Sequence, residues 1–171
     1  MISLLLYTLL FFLLLILEMA FLHSLPFPIS TLPLILIFTV YFYQYIGLKR
    51  AAWWLLFEGL FIDMFSLSSI RFHVLCYAVA ALVMTVVSTK VFTNRSFYGM
   101  SGTTLSTIIV LYTCLLISGA AGSLLGTVSL NAQLLGEEFL WTLLMNFLFV
   151  FLFFPFSKRF KAILQQFIPQ I

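Results

Sequence analysis

The chain has 171 residues, of which 64% are apolar and only 8% are charged, and its mean hydropathy is +1.21. Soluble domains carry about 25% charged residues, so the composition excludes a soluble globular protein. A membrane-spanning helix needs ~20 apolar residues, which allows about six spans and no separate soluble domain. The net charge of +3 comes from basic residues at the ends of apolar runs, and this distribution argues against a nucleic-acid-binding face.

The apolar runs predict an all-α integral membrane protein with a single domain over residues 1–171. Its six transmembrane helices are expected at about 2–22, 32–48, 51–67, 72–92, 103–125 and 139–156. The first run lacks a basic leader and a small-residue cleavage site, so we interpret it as a retained span. Glu18, near the end of that span, is expected to snorkel toward the headgroups. Residues 157–171 follow a helical apolar spacing that predicts a short amphipathic, basic tail helix on the cytoplasmic side.

The basic residues predict on which side of the membrane each connection lies. If the N-terminus is cytoplasmic, seven of the eight Lys and Arg residues are cytoplasmic and only Arg71 is outside. This asymmetry favours six spans with both the N- and C-termini cytoplasmic, because basic residues concentrate in cytoplasmic loops. Five of these residues are predicted to anchor the protein at the cytoplasmic surface: Lys49, Arg50, Lys158, Arg159 and Lys161.

The third span carries ionisable residues inside an apolar run. Glu58 and Asp63 each cost roughly 2.5–3.5 kcal/mol on insertion scales, so they need partners or a function. Gly59 lies four residues before Asp63 on the same helix face, and a glycine lets a neighbouring helix approach closely. We interpret these three residues as an intramembrane polar contact or a partner-binding site. Three alternatives stay open for Asp63: a carboxyl that braces the bundle, a residue that couples to a partner, and part of an ion or proton pathway.

The fifth span carries a stripe of small residues at Ser118, Gly122 and Gly126. Such a stripe is typical of close helix packing, either inside the protein or against the helix of a partner, and both interpretations stay open. Cys76 and Cys114 lie in apolar runs without metal-type spacing, and we interpret them as packing residues.

No catalytic set is visible in the sequence. Glu58 and Asp63 are five residues apart and face different neighbours, which argues against a two-carboxylate active site on this helix. His23 and His73 fall at the predicted outer interface without a supporting ligand set. No Ser-His-Asp set, phosphate-binding loop or glycine-rich dinucleotide turn is found. The sequence therefore predicts no catalytic, cofactor-binding or metal-binding residue, and we expect a protein that is not an enzyme.

The stretch from Phe57 to Phe97 resembles the MreD family, the integral membrane subunit of the bacterial rod-shape system. The match consists of a Gly-x-x-x-Asp helix at Gly59 and Asp63, a short outer turn, an apolar return span and a basic turn. Asn146 and the pair Phe154-Pro155 are similar to the last helix of that family. Arg71 stands where the family typically has a glycine, eight residues after the aspartate.

The resemblance implies a non-enzymatic scaffold of peptidoglycan elongation that helps to control cell shape from the cytoplasmic (inner) membrane of a bacterium. Its implied partners are a bitopic MreC-like protein, the MreB cytoskeleton, and a RodA-type cell-wall synthase with its transpeptidase. Membrane lipids surround it, and nucleic acid and cofactors are not expected. The alternative is the small-molecule (vitamin) binding subunit of an energy-coupling-factor type transporter, which is also a small six-span protein. Against this alternative, span 1 has one alanine, Ala20, where such subunits often carry Ala-x-x-x-Ala, and polar residues are sparse in the outer loops.

Overall fold

A computed structural model of the chain describes residues 2–65, 72–94, 96–124 and 132–167. These residues are almost entirely helical, and no strand occurs among them. Four helices are long and apolar enough to cross a membrane, and they lie at Leu5–Ser24, His73–Val91, Phe97–Leu124 and Gln133–Ser157. The prediction of a helical membrane protein is therefore confirmed. The number of six spans and the orientation of the termini stay predictions.

Six main helices follow one another along the described chain. They are α1 (Ile2–Ile16), α2 (Leu34–Val40), α3 (Ala52–Phe65), α4 (His73–Val86), α5 (Phe97–Leu124) and α6 (Ala132–Phe167). Three of them continue into π-helical turns: α1 through Leu17–Phe21, α2 through Tyr41–Ile46 and α4 through Val87–Val91. Short 3-10 segments lie between helices at Leu22–Ser24, Ile29–Thr31 and Lys49–Ala51.

Helix α2 lies at the centre of the bundle. A helix that is apolar on all sides is stable where other helices surround it, and α1, α3 and α5 all pack against α2. The rings of Phe38 and Tyr41 also contact Phe153 on α6. The side chains of α2 and its π-helical continuation that are at most 1% exposed are Ile35, Leu36, Ile37, Thr39, Val40, Tyr41 and Phe42.

Helix α2 is also short. Its 7 α-helical and 6 π-helical residues span at most about 20 Å at 1.5 Å per residue, whereas the hydrocarbon core of a bilayer is ~30 Å thick. Prolines at positions 26, 28 and 33 delay its start, because proline lacks the N–H that a helix interior needs. Helix α2 therefore begins inside the bundle, and a space remains between its N-terminus and that end of the bundle.

One end of the bundle carries basic side chains. The amide nitrogen of Gln44 donates to the carbonyls of Phe92 (2.5 Å) and Asn94 (3.1 Å), and the Tyr41 hydroxyl donates to the carbonyl of Ser157 (2.7 Å). These bonds bring together the C-terminal end of α2, the segment after α4 and the later part of α6. We call this the basic end, because its exposed side chains include Lys49, Arg50, Lys90 and Arg159. At the opposite end, the ring of Phe27 contacts Trp141 of α6.

The fifth helix begins at Phe97, before the predicted start at residue 103. Ser96 caps it, since its hydroxyl accepts the N–H of Gly99 at 3.2 Å, the usual bond of an N-cap. The hydroxyls of Ser101 and Thr103 donate to backbone carbonyls of the preceding turn. These bonds satisfy the polar groups within the helix, and this explains why a hydropathy boundary placed the start too late.

The sixth helix begins at Ala132, before the predicted start at 139, and continues to Phe167 with Pro155 inside it. Residues 157–167 of the predicted tail therefore continue α6 rather than form a helix of their own, and residues 168–171 lie outside the described residues. Proline is tolerated in a membrane helix where hydroxyls and neighbouring helices satisfy nearby backbone groups. Here the Ser157 hydroxyl donates to the carbonyl of Phe154 (2.6 Å), and Tyr41 donates to that of Ser157. The side chains of Lys158 and Lys161 lie outside those that the structure describes.

Candidate functional site

Gly59 lies at a close contact between α3 and α4. A Cβ atom at this position would stand 2.9 Å from the Cβ of Tyr77 and 3.1 Å from the carbonyl oxygen of His73. Both distances are shorter than ordinary van der Waals contact, so a larger residue would push the two helices apart. The close approach that the sequence associated with Gly59 is thus an internal contact between α3 and α4.

Asp63 caps the N-terminus of α4 from the neighbouring helix. Its carboxylate accepts the backbone N–H of His73 (3.1 Å) and of Val74 (3.0 Å), together with the ring Nδ1–H of His73 (2.8 Å). The first N–H groups of a helix have no partner within that helix, and a negative charge there is favourable to the helix dipole. This geometry corresponds to the bracing alternative for Asp63.

Glu58 lies deep between the helices and is 2% exposed. The side chain of Tyr77, on α4, lies beside its carboxylate. Its second oxygen, Oε2, is buried and has no hydrogen-bond partner among the described residues. A buried carboxylate with an unused acceptor is costly, so Glu58 stands out from the other acidic residues.

Glu18 corrects a prediction. Its side chain does not snorkel to the surface: it is 5% exposed, and its Oε2 accepts the backbone N–H of Ile35 at 2.7 Å. The reason is that α2 begins inside the bundle, directly after Pro33, so its first N–H groups need a buried acceptor. The backbone carbonyl of Glu18 in turn accepts the Nδ1–H of His23 at 2.8 Å.

Glu18 and Glu58 lie close enough to repel each other electrostatically. The sequence argument excluded a carboxylate pair formed by α3 alone, but the structure supplies the second carboxylate from α1. Sequence reasoning missed this pair because it assigned Glu18 to the headgroup region. The available signal was an acidic residue within an apolar run, directly before a proline-rich connection.

The two carboxylates line a cavity of about 990 Å³. It lies above the N-terminus of α2, between the ends of α1, α3 and α6, and α4 and α5 contribute to its inner wall. Pockets that bind small molecules typically have volumes of ~300–1,000 Å³. Its polar lining includes Glu18, Glu58, Tyr77, Tyr112, Glu138 and Thr142.

The inner part of the cavity is buried and the opposite side is open. Glu58, Leu36 and Ile108 at the inner side are buried, whereas Phe27 and Glu137 at the other side are exposed. We call this end of the bundle the cavity end, and it lies opposite the basic end. Among the described lining residues, His23 is the one basic side chain, and it lies near Glu138.

The described part of the small-residue stripe on α5 begins against α4. Ser118 is half-buried, and its hydroxyl oxygen accepts a long contact from the Sγ of Cys76 at 3.9 Å. Gly122 is also half-buried, and Gly126 lies outside the described residues. The structure thus separates the predicted residues into three places: Glu58 in the cavity, Gly59 and Asp63 in the α3–α4 contact, and Ser118 between α4 and α5.

Two further predicted features lie elsewhere. Asn146 is buried on α6 and donates to the Thr104 hydroxyl of α5 at 3.2 Å, so it links these two helices. The predicted anchors Lys49, Arg50 and Arg159 are exposed at the basic end. In the part of the chain that the structure describes, no group of three or more His, Cys, Asp or Glu side chains is arranged to hold a metal ion.

Comparison with protein-family models, curated proteins and solved structures finds no match to this chain. The resemblance to the MreD family therefore depends on the residues of α3 and α4 described above, and it stays a prediction.

Proposed function

We propose that this chain is a non-enzymatic scaffold of the MreD type in the cytoplasmic membrane of a bacterium. In this proposal it docks a bitopic MreC-like protein and acts with the MreB cytoskeleton and a RodA-type synthase and its transpeptidase in peptidoglycan elongation. The observation that carries the proposal is the α3–α4 hairpin, in which Gly59 and Asp63 both take part.

The hairpin supports the proposal because the two motif residues have complementary tasks in it. Gly59 lets α3 lie directly against Tyr77 of α4, and Asp63 binds the first N–H groups of the same helix. The Gly-x-x-x-Asp helix and the return span therefore pack together as one unit. This is the unit on which the resemblance to MreD rests.

The outward faces of the bundle are consistent with a protein that works through lateral contacts. Large apolar side chains are exposed along α1, such as Leu9 and Leu13, and along α6, such as Phe151 and Leu152. Helices associate in lipid through packing of such faces and through polar contacts. In this proposal the basic end is cytoplasmic, because Lys49, Arg50, Lys90 and Arg159 are exposed there and cytoplasmic loops are enriched in Lys and Arg.

Depletion of the protein in its bacterial host tests the proposed function. Cells that lose a scaffold of wall elongation should widen and become round while growth continues for some generations. The matched control is re-expression of the wild-type chain, which should restore the rod shape. Cells that keep their width and length distribution after depletion would contradict the proposal.

The cavity supports a second candidate, the small-molecule-binding subunit of a transporter. The sequence argued against it because polar residues are sparse in the outer loops, but the structure supplies carboxylates and hydroxyls from the helices instead. This candidate predicts that depletion lowers uptake of one small molecule and leaves cell shape unchanged. It also predicts that the protein copurifies with a coupling subunit and its ATPases, and isolation without them would contradict it.

A further inference from the structure

We propose that the cavity at the N-terminus of α2 binds a small organic cation, an apolar molecule with one protonated amine, whose amine donates to the carboxylate of Glu58. This inference depends on the cavity alone and stands whichever of the two functions the protein has.

Glu58 carries a buried carboxylate oxygen that no described residue binds. This side chain is 2% exposed and lines the cavity, and the side chain of Tyr77 lies beside it in the same lining. Its Oε2 has no partner among the described residues. Buried polar atoms are nearly always hydrogen-bonded, so this carboxylate in the cavity wall carries an acceptor that lacks a donor among the described residues. A ligand with an N–H group supplies that donor.

The acidic side chains of the cavity favour a positively charged ligand. The carboxylate of Glu18 lies near Glu58, while the described lining contains no Lys or Arg. The single basic group, His23, donates to the backbone of Glu18 and lies near Glu138. Two neighbouring buried carboxylates that have no Lys or Arg beside them among the described residues are strongly unfavourable as anions. A positively charged ligand removes that cost, whereas an anionic ligand adds to it.

The size and the apolar lining of the cavity favour a ligand with an apolar body. The volume of about 990 Å³ is far larger than a metal ion requires, and hard metal ions need several oxygen ligands at close range. The walls are mostly apolar, with Ile62, Ile108 and Leu111 among them, and the ring of Phe61 also faces the cavity. Aromatic rings attract ammonium groups through cation–π interactions. The ligand class is therefore an aryl or alkyl amine with an apolar body.

Equilibrium dialysis on the purified full chain in detergent tests this assignment. The probes are tryptamine and tryptophol, which share the indole ring and the two-carbon chain and differ in that an ammonium group replaces a hydroxyl. We expect saturable binding of tryptamine with one site per chain and at least about tenfold weaker binding of tryptophol, as desolvated charge pairs require. Equal affinity for the two probes would overturn the proposal. So would the absence of saturable binding for all of tryptamine, phenethylamine and hexylamine.

Three variants identify the residue. Glu58→Gln keeps the size and removes the charge, and it should weaken tryptamine binding at least about tenfold. Tyr77→Phe removes a hydroxyl beside Glu58 and keeps the ring and the charge of Glu58, so its affinity should equal or exceed that of the wild type. Lys49→Gln removes an exposed charge at the opposite, basic end, and it should change the affinity by about threefold or less. A site that collapses for structural reasons would instead lose binding in both Glu58→Gln and Tyr77→Phe.

Wild-type affinity in Glu58→Gln would also overturn the assignment. If this variant does not fold, the comparison of tryptamine with tryptophol on the wild-type chain still decides the question, because it needs no substitution.

Discussion

Two carboxylates perform the same task at two helix starts. Glu18 of α1 binds the N–H of Ile35 near the start of α2, and Asp63 of α3 binds the first N–H groups of α4. Water that usually satisfies such groups is absent from the bilayer core, so the partner must come from the protein. Both acids therefore contribute to the structure directly. Glu58 differs from them, since one of its oxygens has no partner among the described residues.

Asp63 gives a prediction at the scale of one residue. Asp63→Leu removes every acceptor for His73 and Val74, and we expect the free energy of unfolding to fall by ~1–2 kcal/mol. Asp63→Asn keeps a single carbonyl oxygen, so its loss should be smaller. The measurement is denaturant-induced unfolding of the purified protein.

The matched control for Asp63 is Glu137→Leu, because Glu137 is exposed near the start of α6. We expect this change to have little effect on stability. If Asp63→Leu is as stable as the wild type, the cap on α4 does not brace the bundle, and a functional interpretation of Asp63 gains support.

At the scale of helices, the hairpin of α3 and α4 depends on one glycine. Gly59→Val places branched carbon atoms against Tyr77 and the carbonyl of His73, and overpacking of this kind costs ~1–3 kcal/mol. Gly136→Ala is the matched control, since a Cβ at Gly136 in α6 would have no atom within 4 Å from any described residue beyond its chain neighbours and the backbone of its own helix. Alanine there should be neutral or stabilising by up to about 1 kcal/mol. Thermal unfolding in detergent measures both.

A result in which Gly59→Val unfolds at the wild-type temperature would show that α3 and α4 do not pack at the distance described. A loss of stability in Gly136→Ala of the same size as in Gly59→Val would show that the effect reflects glycine replacement in general.

The helices also show what sequence patterns predict and where they fail. The apolar runs located α4 well, because its hydropathy changes sharply near His73 and again after Val91. They placed the starts of α5 and α6 too late, because capping and internal hydrogen bonds allow Ser96, Ser101 and Glu137 at or inside helix starts. Hydropathy measures the cost of leaving water and contains no term for those bonds.

For the candidate site, the sequence showed that Glu58 and Asp63 need partners, because each is charged within an apolar run. It did not show which partners they have. The cap that Asp63 forms depends on where α4 begins, and the proximity of Glu18 to Glu58 depends on how α1 packs against the centre. The cavity exists because α2 is shorter than the helices around it. The sequence of one helix does not show how its length compares with that of the helices that pack against it.

At the scale of the whole molecule, the basic end and the cavity end of the bundle carry side chains of opposite charge. Exposed Lys49 and Arg50 lie at one end, and the exposed Glu137 lies at the other. If the basic end is cytoplasmic, the cavity opens toward the cell exterior. A ligand would then reach Glu58 from outside, and a partner on the cytoplasmic side would meet the basic end.

Labelling of single cysteines tests this orientation. In a background without Cys76 and Cys114, a cysteine at Gln133, an exposed position near the start of α6, should react with an impermeant thiol reagent applied to intact cells. A cysteine at Asn94, which is exposed at the basic end, should react only after the membrane is opened. The reverse pattern would contradict both the orientation and the external opening of the cavity.

In the proposed function, the protein holds a bitopic partner in a complex of wall elongation. Mild-detergent purification of the tagged wild-type chain from native membranes, with mass spectrometry of the copurified proteins, tests it most directly, and Gly59→Val provides a variant with a weakened hairpin. The proposal predicts that a protein with one transmembrane helix and an external domain copurifies together with a cell-wall synthase, and that the variant loses both. Recovery of a transporter coupling subunit with its ATPases, and of no bitopic partner, would contradict the claim.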